Sequence, residues 1–260
     1  MDTESFQRVW RRFATWLAEN VPEDHTRLAP PASEAQIAAV EAAYEIELHP
    51  ELRALLRLHD GTRSGGDPFG RFLPLGHKLI NTEVIVGYRD MLTSPEMRGS
   101  HPYDRVEGHP HLWVPFAEPN DGGLAFVDHH PGPTYGHVYE LGIGSGATEP
   151  EQWATSLSAF FGALATAVET GAPFQAYRPA LAEFLKAPTP GLTHAVGLRF
   201  LDWVIGPKPL PADHPFIVYQ VIGPRRHRDG VVFGSLIRVC GRMAGWREPC
   251  HRGVAAGSVI

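Results

Sequence analysis

The most informative segment of this chain is residues 48–61, which read LHPELRALLRLHDG. Pro50 suits the first turn of a helix, because its missing N–H would have no partner there in any case. The leucines that follow at positions 52, 55 and 56 form one apolar stripe. Gly61 is the residue type that most easily adopts the left-handed conformation after a helix, and Asp60 can bond the backbone there. We therefore predict a helix from Pro50 that ends in a structural His59-Asp60-Gly61 turn.

Two further helices are predicted upstream of this segment. Residues 4–20 place apolar side chains at three- and four-residue steps, as an amphipathic helix does. Ser33 and Gln36 have capping-box spacing, so a second helix is expected from there to about Tyr44.

Downstream of Gly61 the apolar pattern changes to short runs typical of strands. Residues 112–116, 123–128 and 137–141 are three such runs, and the last two are close enough to pair as an antiparallel hairpin. Pro131-Gly132-Pro133 lies between them as a turn. Pro115 favours an edge or a bulge in the first run.

Two helices are predicted after the strands, the first from Glu151 to about Thr170 and the second from about Gln175 to Lys186. The aromatic spacing of the first suits burial against the sheet. We expect one buried cluster from the strands and this helix, made of Trp113, Phe116, Trp153, Leu157 and Phe160.

Composition and charge divide the chain near Lys186. Residues 1–186 carry 25 acidic and 14 basic side chains, net −11, whereas residues 187–260 carry 4 and 9, net +5. Prolines interrupt the second part, with possible strands at 216–221 and 231–239. We predict a folded domain over 1–186. The 187–260 extension is predicted to be a small subdomain or loosely ordered, and dispensable for folding of the domain.

Global composition narrows the function classes. With 43% apolar and 20% charged residues in 260, the chain can bury a core. It has neither an apolar run of membrane-spanning length nor a signal peptide, so we expect a soluble, cytoplasmic protein. Two cysteines cannot build a disulfide framework. The acidic domain argues against direct nucleic-acid binding and is compatible with a basic protein partner.

The chain resembles the SMI1/KNR4 family, or SUKH superfamily, over about residues 5–186. Four segments carry the resemblance: residues 31–37 (PASEAQI), 48–61, 113–117 (WVPFA) and 127–138 (VDHHPGPTYGHV). The positions that match the family's motifs, and for which it implies structural roles, are His59, Asp60, Gly61, Trp113, Pro115, Asp128, Pro131, Gly132 and Gly136. The sequence departs from the family pattern at His49 and at the His129-His130 pair. The resemblance implies an α+β fold, a mainly antiparallel sheet packed against N-terminal and C-terminal helices.

The function implied by the resemblance is protein binding without catalysis, metal or cofactor. It would be immunity against a secreted bacterial toxin, such as a basic nuclease, or regulatory scaffolding of cell-wall synthesis. Our candidate contact residues are acidic and aromatic side chains around the hairpin: Glu118, Asp121, Asp128, Tyr135, Tyr139 and Glu140. Loops carry recognition more often than framework elements, and tyrosines make good anchors. Glu45, Glu47 and Glu51 form a competing acidic patch.

A histidine-based, metal-dependent hydrolase is the alternative from a different class. Histidines concentrate in one region, at positions 101, 109, 111, 129 and 130, and Asp128 could add a carboxylate. Zinc accepts such ligands, but the spacing matches no metalloenzyme motif. Adjacent His129 and His130 would also point to opposite faces of a strand. The sequence has no nucleophile elbow and no phosphate-binding loop.

Overall fold

The computed structural model describes the side chains of most of the first 205 residues and only the backbone of four later strands. The described residues are 3–63, 65, 67–94, 108–119, 122–142, 149–186 and 196–205, with the strands between 218 and 240.

Six α-helices form in the described part of the chain. They are α1 (Thr3–Asn20), α2 (Pro22–Thr26), α3 (Glu34–Tyr44), α4 (Pro50–Leu58), α5 (Thr82–Thr93) and α6 (Leu157–Thr170). The predicted capping box is present, since Ser33 and Gln36 each accept from the other's backbone N–H. The predicted apolar stripe of α1 is Phe6, Val9, Trp10, Phe13 and Leu17, and all of these except partly buried Val9 are buried. This stripe packs along α6, where Trp10 meets Phe161 edge to face at 4.7 Å.

The first sheet is an antiparallel meander of five strands in chain order. They are β1 (Lys78–Leu79), β2 (Trp113–Glu118), β3 (Leu124–Asp128), β4 (Val138–Leu141) and β5 (Glu151–Ala154). Its register places Phe126 between Pro115 on one side and Tyr139 on the other. The pairing shifts between Pro115 and Ala117, which confirms the irregularity predicted at this proline. Sheet and helices together confirm the predicted α+β class.

The predicted aromatic cluster forms the centre of the core. Phe160 of α6 contacts Phe116 of β2 at 5.9 Å and stacks on Trp153 of β5 at 5.5 Å. Both tryptophans and their partners Phe116, Leu157 and Phe160 are buried in one cluster. The prediction that they share a core is confirmed.

Two sequence predictions downstream of the sheet are wrong. The helix expected from Glu151 begins at Leu157, because Ser156 caps it by accepting the Ala159 N–H at 3.0 Å, and Trp153 belongs to strand β5. The helix expected over 175–186 is a strand, β6 (Tyr177–Lys186). It pairs along its whole length with β7 (Val196–Ile205), and this cross-strand ladder overrides the helical spacing of its apolar residues.

Strands β6 and β7 belong to a second sheet of order β11-β8-β6-β7, with β8 (Val218–Ile222) and β11 (Leu236–Cys240) overlapping the predicted strands. A separate two-stranded ribbon consists of β9 (Arg226–His227) and β10 (Gly230–Val231).

Strand β7 is joined to the first 186 residues by buried contacts. Leu201 and Trp203 belong to the main core, and the Trp203 indole N–H donates to the Phe72 carbonyl at 2.9 Å. The Leu201 N–H donates to a side-chain oxygen of fully buried Asp24 at 2.7 Å. The expectation that everything beyond Lys186 is dispensable conflicts with this arrangement for β7.

Among the residues that the structure describes, no helix is long and apolar enough to cross a bilayer.

Candidate functional site

The β3–β4 turn is organised by Asp128, the last residue of β3. One carboxylate oxygen accepts the His130 N–H at 2.9 Å, and the other accepts the Thr134 hydroxyl at 2.7 Å. The Asp128 carbonyl accepts the Gly136 N–H at 2.7 Å. This bonding fixes the shape of the exposed Pro131-Gly132-Pro133 tip.

A buried histidine pair joins this turn to the turn between α3 and α4. His129 Nε2 accepts the backbone N–H of His49 at 2.9 Å, so its Nδ1 carries the proton and donates to the Val127 carbonyl at 3.0 Å. Burial lowers the pKa of His129 to about 4, so the ring stays neutral near pH 7 as this bonding requires. A Cβ at Gly136 would lie 2.4 Å from His49 Nε2, and φ there is +85°. Only glycine fits at that position.

The two joined turns present one exposed surface, which we call the turn surface: Glu45, Glu47, Pro131, Gly132, Pro133 and Tyr135. The Tyr135 ring is 41% exposed and leans on His49 with centroids 5.1 Å apart. The Glu47 side chain is 88% exposed and lies near enough to raise the pKa of Tyr135, after the larger effect of burial. The turn surface therefore combines an aromatic anchor with exposed negative charge.

A cleft of about 280 Å³ opens beside the turn surface, and we call it the histidine cleft. Its lining residues are Gly108, His109, Trp113, Phe126, Asp128, His130, Thr134, Tyr139 and Pro150. The imidazoles of His109 and His130 are stacked, with centroids 4.0 Å apart and planes 5° from parallel. His109 precedes β2 and His130 follows β3, so antiparallel pairing brings the two residues together at the same end of the strand pair.

The other wall of the cleft is a row of aromatic rings across three strands. Trp113 stacks on Phe126 at 4.3 Å, and Phe126 stacks on Tyr139 at 5.6 Å. These rings lie on the face of the sheet opposite Phe116, which packs on α6. Burial, and then the charge of Asp128, raises the pKa of Tyr139. The cleft therefore combines aromatic faces with a negative potential.

The predicted contact residues divide between several environments. Tyr135 lies on the turn surface, whereas Asp128 and Tyr139 line the histidine cleft. Glu140 follows Tyr139 on the same strand, so it points to the other face of the sheet, and it is only 8% exposed. Tyr139 and Glu140 therefore cannot both contact a partner that binds one face of the sheet. The alternation of side chains along a strand is enough to predict this.

Glu118 and Glu51 have partners within the chain. The Glu118 carboxylate pairs with Lys78 at 3.1 Å and accepts the Tyr88 hydroxyl at 2.7 Å. Glu51 is buried and accepts both the N–H and the hydroxyl of Ser158. Of the competing acidic patch, Glu45 and Glu47 are exposed, and the Glu47 carboxylate lies 3.9 Å from the Arg53 guanidinium. Asp121 lies outside the described residues.

The His59-Asp60-Gly61 turn joins helices that are far apart in the sequence. Asp60 accepts the Thr82 N–H at 2.7 Å and the Gln36 amide at 3.1 Å, and His59 Nδ1 lies 2.9 Å from the Ala29 carbonyl. Gly61 has a φ of +75°, and a Cβ there would lie 2.6 Å from the backbone of Ile80. These contacts are structural.

The fold separates His129 from the other described histidines of the metal hypothesis. His129 accepts a hydrogen bond from the backbone of His49, whereas His130 stacks on His109. His101 lies outside the described residues. In the described part of the chain, no three His, Cys, Asp or Glu side chains are placed to hold a metal ion.

Sequence reasoning missed the contact between the α3–α4 turn and the hairpin. It treated Glu45 and Glu47 as a competitor of the hairpin surface, and the structure places Glu47 beside Tyr135. The available signal was the His129-His130 pair, a departure from the family pattern. The His129 ring accepts the hydrogen bond from the backbone N–H of His49 that joins the two turns.

Comparison with known proteins gives two matches. The family model described as SMI1 / KNR4 family (SUKH-1) matches residues 31–163, which include both turns and the histidine cleft. A protein of Schizosaccharomyces pombe named cell wall biosynthesis/cell cycle regulator smi1 is 28% identical over 156 residues. That match covers 51% of this chain and 30% of the length of the yeast protein.

Proposed function

Because this chain belongs to the SMI1/KNR4 family, we propose that it is a protein-binding module that acts by docking a partner and performs no chemistry of its own. The partner would contact the turn surface and the histidine cleft beside it. The observation that carries this proposal is the exposure of both Tyr135 and Glu47 on two turns that a buried hydrogen bond joins.

A rigid support favours tight binding at these turns. Turns that are already ordered lose little conformational entropy when a partner docks, so more of the contact energy appears as affinity. Asp128, Gly136 and the His49–His129 bond supply that order. Tyrosine offers a large apolar ring with few rotatable bonds, which is why it is frequent among the residues that dominate binding.

The charge of the chain indicates the kind of partner. Residues 1–186 carry a net −11, and Glu45 and Glu47 place part of that charge on the turn surface. A basic protein would be attracted over a distance of about 8–10 Å at physiological salt. We propose an immunity-type role in the cytoplasm, in which the chain covers the positively charged active site of a toxin such as a nuclease.

Regulatory scaffolding of cell-wall synthesis is the second candidate. The observation that favours it is the printed description of the yeast relative as a cell wall biosynthesis/cell cycle regulator. Such a role would use the same docking chemistry and would differ in the partner. It would also allow residues beyond the matched 31–163 to contribute to binding.

Co-expression with the proteins encoded beside its own gene distinguishes the two candidates. An immunity protein should relieve the growth arrest caused by one of these proteins and form a stoichiometric complex with it. Relief without a complex would contradict direct neutralisation. Cell-wall defects on deletion of the gene, with no toxic neighbour, would favour the regulatory role. Substrate turnover by the purified chain would contradict both.

A further inference from the structure

We propose that the histidine cleft receives the guanidinium group of an arginine from the partner protein. This inference rests on the proposed function and assigns the chemistry that the cleft would recognise. It is carried by three features of the cleft: aromatic side chains in its lining, a carboxylate in the same lining, and a lining whose described residues include no lysine or arginine.

The walls suit a flat, cationic group. The imidazoles of His109 and His130 lie parallel at 4.0 Å, and the row of Trp113, Phe126 and Tyr139 lines the same cleft. Aromatic faces carry negative partial charge and attract cations placed over them. A guanidinium is planar and weakly hydrated, so it stacks on such faces more readily than the compact, strongly hydrated ammonium of lysine.

Asp128 supplies the cleft with a charged acceptor. Asp128 is 7% exposed, and its two oxygens each accept one bond from within the turn, from His130 and Thr134. A carboxylate has about four acceptor positions, so each oxygen can take another N–H donor. A guanidinium presents its N–H groups in one plane and can bond the carboxylate while its face lies on the rings.

Other classes of ligand fit this cleft less well. An anion would be repelled by Asp128, whose charge already raises the pKa of neighbouring Tyr139. An apolar side chain would cover the carboxylate without giving it a donor, which is unfavourable for a charged group. The net negative charge of residues 1–186 also favours a basic partner over an acidic one.

The test uses a small arginine probe and the full chain. N-acetyl-arginine methylamide is titrated to about 50 mM while the ring signals of His109, His130 and Trp113 are followed by NMR. We expect saturable shifts at these three residues, with a dissociation constant on the order of 1–10 mM, as suits one stacked, bonded side chain. The citrulline counterpart has nearly the same shape without the charge and should bind at least tenfold more weakly. The lysine counterpart should bind severalfold more weakly than the arginine probe.

Two variants locate the probe. Tyr139→Leu keeps an apolar side chain but removes the ring, and His109→Ala opens the stacked pair; each should weaken probe binding about fivefold or more. Val84→Ala, at an exposed apolar residue of α5, should leave it unchanged. Equal binding of the arginine and citrulline probes, shifts that do not saturate, or full affinity in Tyr139→Leu would overturn the assignment.

The outcome separates this inference from the proposed function. The probe titration needs no partner, so its failure removes the arginine assignment and leaves protein docking to be judged by complex formation. Failure to find any protein partner would remove the proposed function even where the cleft binds the probe.

Discussion

Replacement of Trp203 by alanine tests whether strand β7 is part of the folded domain. The Trp203 ring is buried and packs against Phe174 with centroids 6.4 Å apart, and its indole N–H donates to the Phe72 carbonyl. Removing a buried large aromatic costs about 3–5 kcal/mol through lost burial and the cavity that remains. The Phe72 carbonyl also loses its partner, which adds about 1 kcal/mol or more. We expect the free energy of unfolding to fall by roughly 4–6 kcal/mol.

The measurement is urea denaturation of the full chain, followed by tryptophan fluorescence and by circular dichroism. Ile205→Ala is the matched control, because Ile205 ends the same strand and is 74% exposed. This control should change the free energy of unfolding by less than about 0.5 kcal/mol. Trp203→Phe keeps most of the apolar volume and loses the hydrogen bond. Its loss of free energy of unfolding should therefore lie between those of Trp203→Ala and Ile205→Ala.

A small effect would refute the reasoning. If Trp203→Ala unfolds within about 1 kcal/mol of the unmodified chain, β7 does not supply core, and the domain ends near Lys186 as the charge pattern suggested. A large effect means that truncation after Lys186 leaves an aggregating or molten product.

Three further predictions concern other parts of the fold. Gly136→Ala should destabilise the chain by about 2 kcal/mol or more in urea denaturation, and Gly171→Ala by less. Both glycines have positive φ, but only at Gly136 would an added Cβ clash, with His49. Equal costs of the two variants would contradict this. Burial raises the pKa of Asp24 to about 7 in the folded chain, so the native state holds a proton that the unfolded state releases near pH 4. Stability relative to Asp24→Asn should therefore fall as pH rises from about 4 to 7, and a flat or rising difference would refute it. Trp153→Ala should cost about 3–5 kcal/mol, and an effect below about 1 kcal/mol would contradict its place in the core.

Local signals were enough to predict the N-terminal helices and the hairpin. Each of these signals involves residues that are close together in the sequence, so it can be recognised without the structure. Examples are the apolar stripe of α1, the capping box at Ser33 and the left-handed turn at Gly61. The strand over 177–186 could not be predicted in the same way, because its apolar residues have helical spacing. Its conformation is set by pairing with Val196–Ile205, a segment that lies beyond the change in composition near Lys186.

The candidate site was predictable as a set of residue types and not as a surface. Asp128, Tyr135 and Tyr139 are neighbours in sequence, but the directions of their side chains depend on the turn and on strand alternation. The electrostatic effect of Glu47 on Tyr135 requires two turns 88 residues apart in numbering, and the stacked pair of His109 and His130 requires the β2–β3 register. Both arrangements depend on contacts between segments that are distant in the sequence.

The most direct test of the account is the affinity of the chain for its cognate partner after both exposed anchors of the turn surface are changed. Glu47→Lys combined with Tyr135→Ala should weaken binding at least tenfold, about 1.4 kcal/mol, and should reduce the salt dependence of association. Glu19→Lys combined with Val84→Ala makes a similar change at exposed positions of α1 and α5 and should bind like the unmodified chain. Unchanged affinity of the turn-surface double variant, with its urea midpoint intact, would show that the partner docks elsewhere.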